Sequence, residues 1–319
     1  MEKHPYFPSI PTSRTGRVPQ WVLDEAAGKP VDVVPFRGAT HSLPHERLAS
    51  GARRKGRLFA GITLAAACAG VALYVDPPSL GGNQMALPTQ AVERFGPAPG
   101  FEESDSPIGS AATASVLAEG SGFRFSRHQS DGSAPMAWSP CRPLHFVTRP
   151  DNAPSWGPAV LAEAVARVSQ ATGLHFVDDG ATTEGPAEER LPYQPERYGN
   201  QWAPVLITWA TTNEVPDFGV DIVGEAAPMA MATTSGDSAY VSGIVQLDPV
   251  KLQQIKESQG DATVRSIVMH ELGHLVGLAH TDGPSEVMFP RSQTGVVEFS
   301  AGDQAGLAAL GRGNCQPDV

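Results

Sequence analysis

The most apolar stretch of the chain covers residues 58–75, where 18 consecutive residues (LFAGITLAAACAGVALYV) contain no charged side chain. As a helix, this stretch would be about 27 Å long, close to the thickness of the hydrocarbon core of a bilayer. A buried soluble helix usually keeps a polar face, and this stretch offers only Thr63 and Tyr74 for one. We therefore predict a transmembrane helix. Because about 57 mostly polar residues precede it, we expect an uncleaved signal anchor.

The charges on the two sides of this stretch predict its orientation. Four basic residues lie directly before it, and no further Lys or Arg follows before Arg94: Arg53, Arg54, Lys55 and Arg57. Basic flanks stay on the cytoplasmic side, so we expect the N-terminus inside. Residues 76–319 carry 13 basic and 29 acidic side chains, a net charge of −16. Such an outer portion would repel phosphate, and we therefore expect no nucleic-acid partner.

Composition divides the rest of the chain into three parts. Residues 1–57 mix Pro, Ser, Arg and Gly with few periodic apolar positions, which predicts a largely disordered cytoplasmic tail. Residues 76–122 are rich in Pro, Gly, Ser and Ala, which is typical of a semi-extended tether. Apolar runs then alternate with amphipathic stretches, and this pattern predicts one folded domain over residues 123–319.

Within this domain, the apolar periodicity predicts strands and helices in alternation. The expected strands are 144–148, 174–177, 205–210 and 240–247, of which 205–210 is continuous enough to be central. Residues 155–172 have the spacing of a one-faced helix that Gly173 can end, and a short last helix starts near Ser300. This order predicts an α+β fold with a twisted, mixed sheet and a small C-terminal lobe.

The candidate chemistry lies in a helix that should begin near Asp261. His270 and His274 are four residues apart on one helical face, so two imidazoles can bind one zinc ion at about 2.0 to 2.1 Å. Glu271 follows the first histidine and is placed to act as a general base, taking a proton from a zinc-activated water. His280 is too far along to share that face. Gly277 can end the helix in a left-handed conformation and return the chain, which brings His280 to the same ion.

The eleven residues HELGHLVGLAH (His270–His280) match HExxHxxGxxH, the signature of the metzincin clan of zinc endopeptidases. The tetrapeptide Val287-Met288-Phe289-Pro290 follows at the interval of the methionine turn in the matrixin branch. Weaker similarity to bacterial matrixin-type domains extends over most of residues 123–319, including Trp138-Ser139-Pro140-Cys141.

This resemblance implies a metal-dependent peptidase with one catalytic zinc ion. Glu271 would be the general base, and Met288 would form an apolar floor that does not touch the metal. Residues 227–233 could supply an edge strand that binds extended substrate by strand addition. The chain lacks the PRCGxPD inhibitory motif and an evident segment for structural zinc and calcium, so the resemblance does not carry over cysteine latency or additional metal ions; calcium is possible but unsupported.

Three other sets of residues are candidates for a disulfide or for metal ligands. Cys141 and Cys315 bracket the domain on the outer side and are expected to form a disulfide, the alternatives being an inhibitory Cys141 thiolate on zinc and free thiols. His145 and His175 lie in strand-like runs, where packed histidines are commoner than ligands. Asp178, Asp179 and Glu184 could form a calcium loop, but their surroundings are more typical of a solvated acidic loop.

Together these patterns predict a monomeric, single-pass membrane protein whose extracytoplasmic domain hydrolyses polypeptides with zinc. The composition suggests a bacterial cell envelope. Two alternatives stay open: a catalytically silent zinc-binding module, and an amidase that acts on cell-wall peptides by the same chemistry. The presence of Glu271 and of all three histidines argues against the silent module.

Overall fold

The computed structural model of the chain describes residues 96–319, apart from residues 111–112, 133, 188–189 and 220–221. The predicted cytoplasmic tail, the predicted anchor at 58–75 and the first part of the predicted tether therefore lie outside the described residues. Within the described part of the chain, we find no helix with the length and apolar character needed to cross a bilayer.

The described residues form eight strands and five helices. The strands are β1 (Arg124–Phe125), β2 (Ala137–Trp138), β3 (Leu144–Arg149), β4 (Phe176–Ala181), β5 (Val205–Trp209), β6 (Gly224–Ala232), β7 (Ser238–Leu247) and β8 (Leu278–Ala279). The helices are α1 (Gly157–Thr172), α2 (Pro195–Tyr198), α3 (Pro249–Gln259), α4 (Asp261–Val276) and α5 (Ala301–Leu310). A single 3-10 turn (Pro216–Phe218) precedes β6.

Six of the strands form one mixed sheet, as the alternating pattern predicts. The order β2, β7, β5, β3, β4 is parallel throughout, and β6 runs antiparallel to β7 from Gly224 opposite Leu247 to Ala232 opposite Ser238. All five residues of β5 are buried between β3 and β7, which explains its unbroken apolar sequence. Among the described residues no second strand pairs with β6, so one edge of β6 is available.

Helix α1 covers one face of the sheet with the residues that its periodicity selects. Val160, Leu161, Ala164, Val165 and Val168 are buried, and Gly173 ends the helix with φ 78° while its N–H donates to the Ser169 carbonyl. This left-handed residue is the helix end that the sequence predicts.

Helix α4 is buried on every side from Ser266 to Val276, because it packs against α1, α3, β6 and β7. The helix begins at Asp261, as the sequence predicts, and its N-cap is Gly260 with φ 88°. The preceding helix α3 was not predicted. The dipeptide Asp248-Pro249 marks its start in the sequence, since Asp is a favourable N-cap and Pro a favourable first helical residue. In the structure, the Asp248 carboxylate accepts hydrogen bonds from the N–H groups of Val250 and Lys251.

A disulfide joins Cys141 to Cys315, with 5.3 Å between the two Cα atoms. With its sulfur in this bond, Cys141 has no thiolate to offer a metal ion. The segment before the predicted domain boundary is hydrogen bonded beside this disulfide. The N–H of Ser104 donates to the Cys141 carbonyl at 2.7 Å, and the buried Glu103 carboxylate accepts from the N–H of Gln316.

Candidate metal centre and active site

Three histidine nitrogens converge in the domain. The Nε2 atoms of His270 and His274 are 3.0 Å apart, and that of His280 lies 3.2 Å from each of them. The first two side chains project from α4, and the third follows β8. Three neutral imidazoles that point their lone pairs at one another repel, so this arrangement is favourable only around a cation.

Backbone carbonyls fix the orientation of two of these rings. The Nδ1–H of His270 donates to the Val287 carbonyl at 2.7 Å, and that of His274 donates to the Leu278 carbonyl at 2.8 Å. Each bond places the proton on Nδ1 and leaves Nε2 as the metal-binding atom. Burial and the neighbouring histidines hold the pKa of His270 well below its ordinary value. Burial also lowers the pKa of His274 to about 3 and that of His280 to about 4, so all three are neutral at pH 7.

The spacing of the three nitrogens fits a zinc ion. Tetrahedral Zn–N bonds of about 2.0 to 2.1 Å require nitrogens about 3.3 to 3.4 Å apart, close to the observed 3.0 to 3.2 Å. Three protein ligands leave a fourth position for water or substrate, which is the composition of a catalytic zinc site and not of a structural one.

Glu271 is fully buried next to His270 in the chain, and neither carboxylate oxygen has a hydrogen-bond partner among the described residues. A buried carboxylate without partners is unfavourable, and such groups mark functional sites. Burial and the charge of Glu225 raise the pKa of Glu271 well above its ordinary value. A cation at the histidines would lower it again and favour the carboxylate form that a base requires.

The chain reverses at Gly277 to bring His280 back to the helix end. Gly277 has φ 121°, and its N–H donates to the carbonyls of Gly273 and His274. A Cβ at this position would also lie 3.2 Å from Leu310 and from Tyr240. Both its conformation and its surroundings therefore require glycine.

Met288 lies buried directly against the helix that carries the first two histidines. A Cβ placed on Gly273 would lie 2.5 Å from the Met288 sulfur, so the absence of a side chain at Gly273 allows this contact. Sulfur and helix backbone thus pack together beneath His270 and His274, with Met288 among the core residues.

One buried carboxylate fixes the backbone around Met288. Asp303, in the first turn of α5, accepts hydrogen bonds from the N–H groups of Val287 at 2.6 Å and Met288 at 3.2 Å. It also accepts one from the N–H of Ser300, completing a capping box. The Val287 carbonyl accepts the hydrogen bond from His270. By fixing the backbone at Val287, Asp303 therefore helps to position His270 without contacting it.

Residues 158–310 match the family model of the matrixins, the M10 peptidases. The match supports a matrixin-like metzincin domain. Because the matrixin family consists of zinc-dependent endopeptidases, this match supports a metallopeptidase, and the parallel-stranded mixed sheet with few helices fits the matrixin fold. No curated protein matches the chain.

The other candidate ligands of the matrixin-like domain do not join the three histidines. His145 bonds Asp179 at 2.9 Å and pairs with Glu102 at 3.0 Å, while His175 is exposed. Asp178 accepts a hydrogen bond from the N–H of Gly180.

Glu184 is engaged in a buried ion pair and not in a cluster of carboxylates. Both of its oxygens accept hydrogen bonds from the Arg190 guanidinium, at 2.8 and 3.0 Å. Arg190 also donates to the Ser242 hydroxyl and the Pro204 carbonyl, each at 2.7 Å. Burial raises the pKa of Glu184, but the bonds from Arg190, Tyr198 and Gln194 outweigh burial and lower it overall. The guanidinium therefore supplies the positive charge at this loop.

Sequence reasoning missed two contacts that shape the matrixin-like active site. A Cβ on Gly224 would lie 2.9 Å from Glu271 Cγ and 3.0 Å from its Oε1, so this glycine makes room for the Glu271 side chain. A glycine inside a strand pattern often marks such a close approach, and this signal was present. Asp303 was placed at the start of the last helix, but its bonds to the Met288 turn were missed, although its spacing from Ser300 is that of a capping box.

Proposed function

We propose that residues 123–319 form a zinc-dependent endopeptidase in which His270, His274 and His280 hold one catalytic ion and Glu271 is the general base. The convergence of three neutral histidine nitrogens beside a buried carboxylate without hydrogen-bond partners is the observation that carries this proposal. Bound zinc supplies Lewis-acid chemistry, since it polarises a carbonyl and lowers the pKa of water.

The residues of the chain divide the remaining work. Glu271 takes a proton from the attacking water and passes it to the leaving amine. The carbonyls of Val287 and Leu278 hold the first two histidines in the tautomer that binds metal. The edge of β6 that no other described strand pairs with lies next to α4, and an extended peptide could be added there as a further strand. A substrate added as a further strand would have its backbone aligned before cleavage.

We further propose that residues 58–75 anchor this domain on the outer side of a bacterial membrane, with residues 76–122 as a tether. The uncharged apolar stretch and the basic residues before it support this arrangement. Cysteine labelling of residues on either side of the stretch in intact cells would test it, and labelling of residue 30 from outside would contradict it.

The activity is tested with the full chain in detergent, using a quenched generic peptide library and zinc determination. Wild type should cut, a chelator should stop it, and Glu271→Ala should keep one zinc ion but lose activity. Glu257→Ala, at an exposed carboxylate of α3, is the matched control and should behave as wild type.

Two other results would replace the proposal. If wild type and Glu271→Ala each bind one zinc ion and neither cuts any peptide, the domain is a silent binding module. If wild type cuts cell-wall peptides but no peptide of the library, it is a specialised amidase.

A further inference from the structure

The second and third histidines of the metal centre both depend on the short strand β8. The Leu278 carbonyl of this strand accepts the hydrogen bond from the Nδ1–H of His274 at 2.8 Å. Its last residue, Ala279, directly precedes His280. Among the described residues, no backbone carbonyl accepts a hydrogen bond from Nδ1 of His280. The position of that ring is therefore set by the path of β8.

Strand β1 holds one edge of β8. The two strands pair antiparallel along their whole length. The N–H of Ser126, directly after β1, donates to the carbonyl of Gly277, directly before β8, at 2.8 Å. Backbone carbonyls alternate in direction along a strand, so the Gly277 carbonyl faces β1 and the next one, that of Leu278, faces His274. One edge of β8 thus binds β1, and the other orients a histidine of the metal centre.

The far edge of β1 is held by a carboxylate from the predicted tether. Glu119 accepts a hydrogen bond from the N–H of Phe125 at 2.9 Å through Oε1, and its Oε2 is bonded to His128 at 2.8 Å. The hydroxyl of Ser126 is bonded to that of the buried Tyr240 at 3.2 Å. Strand β1 is therefore fixed on the side of Glu119 as well as on the side of β8.

A second attachment follows His280 in the chain. Arg124 of β1 donates a hydrogen bond to the carboxylate of Asp282, so His280 lies between two segments that β1 holds. These two side chains are 53 % and 87 % exposed, and an exposed ion pair contributes little. The pairing of the two strands is therefore the main support of His280.

We propose that residues 119–126 position the metal centre through β8, fixing the orientation of His274 and the place of His280. The proposal rests on the proposed zinc-dependent function and deepens it, because it assigns the last residues of the predicted tether to the support of the active site. Glu119 and Ser126 are the positioning residues, since one holds the far edge of β1 and the other joins β1 to β8.

The test uses the full chain in detergent and measures metal binding as well as peptide cleavage. Ser126→Pro removes the N–H that bonds the Gly277 carbonyl, and Glu119→Ala removes the acceptor of the Phe125 N–H. Both variants should bind zinc about 10- to 100-fold more weakly in competition with a chelator, as expected when the support of a metal ligand is lost. With Co²⁺ in place of zinc, their visible absorption spectra should differ from that of wild type, because these spectra depend on the coordination geometry.

Two variants serve as controls. Glu119→Gln keeps an oxygen acceptor for the Phe125 N–H, and it should bind zinc as wild type does. Val116→Pro places a proline in the same part of the chain, at a residue that is 91 % exposed, and it should also behave as wild type. Urea unfolding of each metal-free protein shows which variants are folded. If Ser126→Pro does not fold, the comparison of Glu119→Ala with Glu119→Gln decides.

Three results overturn the proposal. If the folded variants Ser126→Pro and Glu119→Ala match wild type in zinc affinity and in the Co²⁺ spectrum, β1 does not position the histidines, while the endopeptidase function stands. A loss of zinc affinity in Val116→Pro equal to that in Ser126→Pro would refute the assignment to this strand pair. If the wild-type chain binds no zinc and cuts no peptide, the proposed function itself fails.

Discussion

Replacing Asp303 with alanine should destabilise the domain through the turn that contains Met288. The carboxylate accepts the N–H groups of Val287 and Met288, both of which are buried residues. A buried donor left without an acceptor costs about 1 to 3 kcal/mol, so two of them should lower the free energy of unfolding by about 2 to 6 kcal/mol. Asp303→Asn keeps one acceptor oxygen and should lower it less.

The same substitution should weaken zinc binding at a distance. Once the backbone at Val287 is released, its carbonyl no longer holds the Nδ1–H of His270 at 2.7 Å. Loss of such an indirect support of a metal ligand typically lowers metal affinity by about 10- to 100-fold. Glu271 should keep its role, so the activity that remains at saturating zinc should stay dependent on Glu271.

Urea unfolding of the metal-free protein and zinc competition with a chelator measure the two effects. Asp261→Ala is the control, because this carboxylate also lies in the first turn of a helix but its side chain is 66 % exposed. Exposed ion pairs contribute about 1 kcal/mol or less, so the control should change little. If Asp303→Ala shifts stability and zinc affinity no more than Asp261→Ala does, then Asp303 does not support the metal centre.

Asp303 also gives the stability of the domain a pH dependence. Burial raises the pKa of Asp303 from 3.8 to about 7, even though three backbone N–H groups bind it. Between these two pH values the unfolded state loses the proton and the folded state keeps it, so stability should fall as pH rises from about 4 to 7. The contribution is at most about 4 kcal/mol. Urea titrations at several pH values should show a flatter profile for Asp303→Asn, and an unchanged profile would contradict this origin.

Three further substitutions test other contacts. Gly224→Ala should place a Cβ against Glu271 and reduce kcat by about 10-fold or more, with zinc retained. Gly185→Ala is the control and should leave kcat unchanged, because its Cβ would lie no closer than 3.9 Å to any neighbouring atom. An equal kcat in both variants would show that Glu271 tolerates the contact. Arg190→Met should lower the free energy of unfolding by about 3 to 5 kcal/mol, because it leaves the Glu184 carboxylate buried without its guanidinium partner. In urea unfolding, the double variant Arg190→Met with Glu184→Gln should recover part of this loss. The Cys141–Cys315 disulfide closes a loop with a sequence separation of 174, so its reduction should lower the free energy of unfolding by about 5 kcal/mol in the chain-entropy model. Equal urea midpoints with and without reductant would exclude that contribution.

The metal centre was predictable because its decisive relations are local. His270 and His274 lie one helical turn apart, and Gly277 has to end that helix for His280 to return, so spacing alone gives most of the geometry. The central position of β5 was predictable for a similar reason, since a strand buried on both faces has an unbroken apolar sequence.

Contacts that depend on the tertiary path of the chain could not be predicted in this way. Whether Gly224 approaches Glu271 depends on where β6 crosses α4, and no periodicity encodes that crossing. Glu184 was considered as a calcium ligand because its neighbours in sequence are acidic, whereas its partner Arg190 is oriented by the carbonyls of Pro204 and Gly243. The acidic residues next to Glu184 in the sequence thus did not predict the charged group that its carboxylate pairs with in the fold.

The hydrogen bonds near the disulfide determine where the domain would feel a mechanical pull. Tension applied to the chain before Gly96 would reach Glu102, which pairs with His145, and then Glu103 and Ser104, which are bonded to residues on both sides of the disulfide between Cys141 and Cys315. These attachment points belong to β3 and to the two segments that the disulfide joins, and not to the helix that holds His270. The domain should therefore withstand a pull on the segment before the disulfide without displacement of its catalytic residues.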